Sequence, residues 1–185
     1  IPMMLSDMAS GQVSIALGAR GLNFCPVSSC ASGAEAIGEA WNLIRSGEVD
    51  IVIAGGAEAP IVPIAIAGFN ACQALSKNNA DPTGASRPFD ARRDGFVMGE
   101  GSAIMVMESM ESARHRNAQP LAEVVGYGAT SDAYHVTHPA PGGEGAARAM
   151  RIALAAADMR PDQVGYINAH GTSTMLNDKV ETEAI

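Results

Sequence analysis

The sequence predicts an α/β protein, and three observations carry that expectation. Apolar residues make up 47% of the 185 and aromatics only 4%, which suits layers packed with small aliphatic side chains. Short apolar runs closed by glycine or serine alternate with stretches of helical period. The same order of strand, loop, helix and strand recurs in the second part of the chain, as an architectural rather than an alignable repeat.

Taken in order, residues 23–27 read as a short buried strand, followed by a helix with Ala34, Ile37, Trp41 and Ile44 on one face and Gly47 as its stop. "DIVIAGG" reads as a second buried strand, so that strand, helix and strand form a parallel crossover unit. The longest uncharged run, residues 59–76, is interrupted by Pro60, Pro63, Gly68, Asn70 and Gln73. It therefore reads as a buried or pocket-lining segment and not as a membrane span. Residues 76–101 are loop-like throughout; "SAIMVMES" is a strand and "MESARHRN" a short helix.

A boundary then falls between a first unit, residues 1–118, and a second, residues 119–185, because "LAEVVGYGAT" opens a new strand. A helix with Ala147, Met150, Leu154 and Ala157 on one face follows, and Pro161 ends it. "VGYINAHGTST" is strand and then polar loop, and "DKVETEAI" is helical without a cap. With an opening "IPMML" that lacks an initiator methionine and shows no signal peptide, the sequence reads as an internal fragment.

The formal charge of −8, without a lysine or arginine cluster, argues against nucleic acid or an anionic membrane as partner. Three cysteines spaced five and forty-two apart match no zinc pattern, so no metal is expected; their odd number fits a reducing cytoplasm.

Cys30 stands where a strand gives way to a helix, and helix N-terminal amides stabilise a thiolate, the nucleophilic form. Small neighbours (Ser28, Ser29, Ala31, Ser32, Gly33) leave room for a substrate carbonyl and aim backbone N–H groups at a developing oxyanion. On the residues alone, a nucleophile and a buried structural cysteine both remain open. Cys25 inside the strand and Cys72 in "GFNACQAL" read as structural.

His170 in "NAHGTST" is the best-placed partner, since loops after buried strands carry α/β sites. His135 and His138 read as ordering their loop, and His115 as solvated. Thr172, Ser173 and Thr174 suit a polar, amide-containing ligand arm or, equally, a turn. The glycines of "GFVMGEG" lack the lysine and spacing of a phosphate loop and read as permitting unusual backbone angles or close packing. Asp178 and Glu181 share a helix face.

Together, "VSSCASGAEAIGEAWNLIRSGEVDIVIAGGAEA", "GFNACQALS", "SRPFDARRDGFVMGEG", "TSDAYHVTHP" and "NAHGTSTMLNDKVETEA" resemble the β-ketoacyl-acyl carrier protein synthases, most of all the elongating type II enzyme of bacterial fatty acid synthesis. The resemblance covers essentially the whole chain. It implies the thiolase fold, two related α/β halves layered αβαβα, usually in a homodimer. It makes Cys30 the acyl-accepting nucleophile and His170 the first of two active-site histidines. Thr172 and Thr174 become binders of the phosphopantetheine arm, with Thr137 assisting and Phe69 lining the acyl pocket. Asp178 and Glu181 become the acidic pair that supports an active-site lysine. That lysine, the second histidine and a gating loop belong to a later stretch, so the fragment alone is expected to be inactive.

The implied reaction is a decarboxylative condensation of malonyl-carrier protein with the acyl-cysteine, without a metal or redox cofactor. The implied partner is the acyl carrier protein, which is acidic and would need a local basic surface such as Arg45 or Arg114 with Arg116. Rival readings are a polyketide ketosynthase, a non-catalytic chain-length subunit, against which Cys30 argues, and a cysteine hydrolase. The last lacks an orienting signature beyond His170. Ser29 before the nucleophile and "STMLND" after the threonines depart from the family's usual residues, and both bear on acyl preference.

Overall fold

The computed structural model describes residues 5–185. Its elements in chain order are α1 (Met8–Leu17), α2 (Ser32–Arg45), β1 (Ile51–Glu58), α3 (Pro63–Ala71), β2 (Gly101–Glu108), α4 (Met110–His115), α5 (Glu144–Ala156) and α6 (Met175–Ala184), with short 3₁₀ turns between them. The chain divides into two compact units, one made of residues up to 58 with 101–124, the other of 59–100 with 125–185.

In the first unit, α2 lies on a two-stranded sheet. β1 and β2 pair antiparallel over their whole length, from Ile51 opposite Glu108 to Glu58 opposite Gly101. The expected parallel crossover is thus corrected: residues 23–27 are extended but join no ladder, and Phe24 and Val27 are exposed. A strand exists by its inter-strand hydrogen bonds, and local apolar character cannot supply the neighbour. "DIVIAGG" is a strand as expected but not a buried one, since Ala54 is its one buried residue. Helix α2 only half-buries Ile37, Trp41 and Ile44 of the anticipated face and leaves Ala34 exposed, its buried residues being Gly38 and Ala40; the N–H of Gly47 at φ +74° closes its end onto Ile44. Arg45 lies over the Trp41 ring, 4.9 Å from its centroid, and so is engaged within its own helix.

Helix α4 follows β2 directly, with the Ser109 side chain accepting from the Ser112 N–H as its N-cap. Arg116 closes this corner on Glu108, its Nε 3.0 Å from both carboxylate oxygens, while Ser112 Oγ donates to the same carboxylate at 3.0 Å. Of the arginines considered as a docking surface, Arg116 is therefore paired.

In the second unit, α3 occupies the middle half of the uncharged run. Ile61, Ile64 and Phe69 are exposed, so the segment is an apolar helix at the surface of the chain and not a buried one. α5 half-buries Ala147, Met150, Leu154 and Ala157 as expected, although it ends at Ala156, and Pro161 opens a separate 3₁₀ turn. "LAEVVGYGAT" is extended without a ladder, lying against α5 so closely that a Cβ on Gly128 would sit 2.1 Å from the Ala149 carbonyl oxygen. Glycine is required there because backbone meets backbone. "VGYINAHGTST" likewise forms no strand, and Tyr166 and Ile167 are exposed.

Among the described residues the buried apolar set is Ala40, Ala54, Ala85, Ala113 and Val180, small side chains as composition implied but a thinner core than expected. No helix among them is long and apolar enough to cross a membrane.

The Glu108 carboxyl is held below its ordinary pKa of 4.5, first by the Arg116 hydrogen bond and then by Ser112. A depressed carboxylate pKa contributes stability above the unfolded value, lost as pH falls through the folded one. Stability should therefore decline as the pH drops below 4.5, and Arg116→Met should make that decline shallower in urea denaturation measured across the acid range.

Candidate active site

In the first unit, Cys30 occupies a 3₁₀ turn, Ser29–Ala31, that runs straight into α2. Ser29 adopts φ +54°, a left-handed conformation that a serine holds only when its surroundings enforce it. They do: the Ser28 N–H donates to Ser32 Oγ at 2.9 Å, and the Ser32 hydroxyl donates to the Ser29 carbonyl at 2.8 Å. No side chain caps the N-terminus of α2. The Ser32 N–H closes onto the Ser29 carbonyl, and an anion formed at Cys30 lies at the positive end of a 14-residue helix. Cys30 is exposed, as a nucleophile must be. Cys25 and Cys72 are exposed as well, which corrects the expectation that both are buried structural residues.

The second unit gathers the other sequence candidates around the loop ahead of α6. The Glu181 carboxylate accepts from two successive amides, His170 N–H at 2.6 Å and Gly171 N–H at 2.8 Å, and so fixes the turn that presents the His170 imidazole. Gly171, at φ +52°, packs against Pro88 and Phe89. The Thr172 and Thr174 hydroxyls lie 2.9 Å apart and bond to each other, and Thr174 Oγ1 caps α6 by accepting from the Asn177 N–H. The threonines thus make the turn that the sequence offered as one of two alternatives.

Asp178 shares the α6 face with Glu181 but is buried, and its carboxylate has partners on every side. It accepts from Phe89 N–H at 2.8 Å, Ser173 N–H at 3.1 Å and Asn177 Nδ2 at 3.2 Å, and Arg93 Nε stands 3.3 Å away. Asn177 Nδ2 also reaches Glu181 Oε2 at 3.3 Å, so one amide group lies between two like charges. The cation beside Asp178 among the described residues is Arg93. Sequence reasoning missed Arg93 and Phe89, and the bonds of Ser173, because the partners stand more than 80 positions away in the chain or are backbone atoms without a sequence signature.

Residues 76–101 are a loop as expected, but an ordered one. Asp94 accepts from Ser76 Oγ at 2.6 Å and from the Lys77 N–H at 3.0 Å, and these bonds, the Ser76 one first, hold its carboxyl below the usual range. Gly95, at φ +143°, passes so close to Ala74 and Leu75 that any Cβ would collide with their backbone.

Phe69, in α3, meets the Phe96 ring edge-on at a centroid separation of 5.1 Å. The Thr137 and His138 amides both donate to His135 Nδ1 at 3.1 Å, and the two imidazoles stack 4.2 Å apart. This pair orders its loop, as read from the sequence.

Two family models match, the β-ketoacyl synthase N-terminal domain over residues 1–113 and the C-terminal domain over residues 121–185. The chain belongs to the β-ketoacyl synthase family. Among relatives of this β-ketoacyl synthase chain, the 3-oxoacyl-[acyl-carrier-protein] synthase 2 of Synechocystis sp. is 54% identical over all 185 residues, which is 44% of that relative's length. The enzyme of the same name from Staphylococcus aureus is 55% identical, again over the whole chain and 46% of the relative. The β-ketoacyl synthase chain therefore spans less than half the length of these curated relatives. A solved complex of a type II polyketide synthase acyl-carrier protein with its ketosynthase superposes with a TM-score of 0.92 at 40% identity, covering 96% of this chain and 44% of that one. The fold is the thiolase fold of the ketosynthases, of which the chain holds a part.

Replacing Asp178 by alanine removes the acceptor of the Ser173 and Phe89 amides and the carboxylate beside Arg93, a change of about 3–5 kcal/mol by the usual cost of breaking a buried ion pair. Urea denaturation of Asp178→Ala should show that loss, with Asp178→Asn intermediate.

Proposed function

We propose that the complete protein carrying this chain is a 3-oxoacyl-[acyl-carrier-protein] synthase of fatty acid elongation. The observation that carries the proposal is a cysteine set on an enforced left-handed turn at the uncapped start of α2, in a chain 54% identical over its full 185 residues to a synthase of that name. Residues 1–118 would be the nucleophile-bearing part and residues 119–185 the histidine-bearing part.

In the proposed first half-reaction the Cys30 thiolate attacks the carbonyl carbon of an acyl-carrier thioester. The tetrahedral oxyanion is received by backbone N–H groups, and the carrier thiolate leaves. In the second, malonyl-carrier protein loses carbon dioxide, and the electron pair of the broken C–C bond becomes an enolate that His170 stabilises by hydrogen bonding. The enolate carbon attacks the acyl-Cys30 carbonyl, the Cys30 thiolate departs, and a 3-oxoacyl thioester two carbons longer remains on the carrier. Decarboxylation supplies the carbanion equivalent, so the reaction calls for no metal or redox cofactor.

Thr172 and Thr174, with Thr137, would hold the amides of the phosphopantetheine arm, and Phe69 would line the acyl pocket. Asp178 and Glu181 would support the site, with their role toward a lysine added to the backbone clamping described above. The acyl carrier protein is the proposed partner. A homodimer and a cytoplasmic location complete the reading. A polyketide ketosynthase is the rival reading, supported by the 40% identical ketosynthase of a type II polyketide synthase, but the 54% identity to a 3-oxoacyl-[acyl-carrier-protein] synthase favours the first assignment.

Incubation of the complete protein with acyl-carrier protein should place the acyl group on Cys30, as mapped by peptide mass spectrometry. Cys30→Ala should abolish both the adduct and condensation. An adduct on Cys25 or Cys72, or labelling undiminished in Cys30→Ala, would overturn the assignment.

A further inference from the structure

The segment "SRPFDARRDGFVMGEG" has no part in the chemistry just described, yet residues 87–95 make a dense set of bonds to the loop that carries Thr172 and Thr174. Ser173, between the two threonines, is fully buried at φ +67°, and each of its polar atoms is taken. Its N–H donates to Asp178 at 3.1 Å, its hydroxyl accepts from the Arg87 N–H at 3.1 Å, and its carbonyl accepts from the Gly95 N–H at 3.0 Å.

Arg93 spans the same corner. Its Nε donates to the Thr174 carbonyl and its Nη2 to the Met175 carbonyl, each at 3.0 Å, while Nη1 donates to the Asp90 carbonyl at 3.0 Å. The same Nε lies 3.3 Å from Asp178, and the Arg93 side chain is only 12% exposed. One planar guanidinium therefore ties its own loop to the N-cap and first residue of α6 and balances the carboxylate that holds Ser173. A lysine ammonium cannot reproduce this fork, because it has no planar array of donors.

We infer that Arg93 is a positioning residue for the Thr172–Thr174 hydroxyl pair: it fixes the backbone of Thr174 directly and that of Ser173 through Asp178, and so sets where the two hydroxyls stand for the ligand arm. The guanidinium nitrogens of Arg93 are each engaged with protein oxygens. The inference rests on the reading of the two threonines as arm-binding residues. It predicts that the guanidinium acts on substrate binding through them and not through general stability.

The test uses the complete protein, with steady-state condensation kinetics on malonyl-carrier protein for wild type, Arg93→Lys, Thr172→Ala/Thr174→Ala and the triple variant. Thermal unfolding and the rate of Cys30 alkylation by iodoacetamide are followed in parallel. Arg93→Lys should raise KM by about tenfold or more, in line with the cost of sub-ångström misplacement of a binding group, while kcat changes less than KM. In the double-threonine background the same change should move KM little, because the groups that Arg93 positions are gone. Ser173→Ala, which keeps the backbone bonds and removes the Arg87 contact, gives a second and milder variant with the same KM-weighted pattern. An unchanged KM in Arg93→Lys, or an equal KM effect with and without the threonines, overturns the inference. A fall in apparent kcat in proportion to the unfolded fraction, with KM unchanged, also overturns it. If wild type shows no condensation, or if the double-threonine variant binds malonyl-carrier protein normally, the functional reading itself has failed, and the two failures are thereby told apart.

Discussion

The second unit depends on one constraint: the carboxylate of Asp178 is out of water and must be matched by donors. A buried charge of this kind is costly unless every lone pair is met, and here two backbone amides, one side-chain amide and a guanidinium meet them. Those donors come from three places in the chain, residues 89 and 93, residue 173 and α6 itself. Satisfying the charge therefore brings a long loop, a tight turn and a helix start to one point. Phe89 and Ser173 both take positive φ beside it, and the cost of these two conformations is borne because relaxing either would leave the carboxylate short of an amide partner.

The first unit solves a different problem with different means. A two-stranded ribbon does not hold by itself in water, and α2 laid across β1 and β2 supplies the packing that it lacks. The helix that provides this packing is the one whose start carries Cys30. Structural support and the electrostatic field at the thiol thus come from a single element, and a change that shortens α2 from its first turn would alter both.

Four helices were legible in the sequence because their cause is local: α2 and α5 follow from residue spacing, and α4 and α6 fall where the pattern placed them, whereas α1 and α3, without a clear polar face, were not read as helices. Strands were legible only in part. "DIVIAGG" and "SAIMVMES" have each other as neighbours, whereas residues 23–27 and the extended runs on either side of α5 have the composition of strands and no ladder among the described residues. The β1–β2 partnership joins segments some fifty residues apart, and nothing in either reveals its direction. At the site, Cys30, His170 and the threonines could be picked out by residue type, but the bonds that hold them could not. Ser32 acts through a hydroxyl that resembles its neighbours, and Arg93 through carbonyls that every residue possesses.

The bond between the Thr172 and Thr174 hydroxyls has no fixed direction, since either oxygen can give the hydrogen. Two hydroxyls joined in this way keep one outward hydrogen between them, and reversing the shared bond moves that hydrogen from one threonine to the other without moving a heavy atom. The pair is consequently a relay of polarity: the same rigid oxygens can face a carbonyl as donor at one end while facing an N–H as acceptor at the other, or exchange those duties.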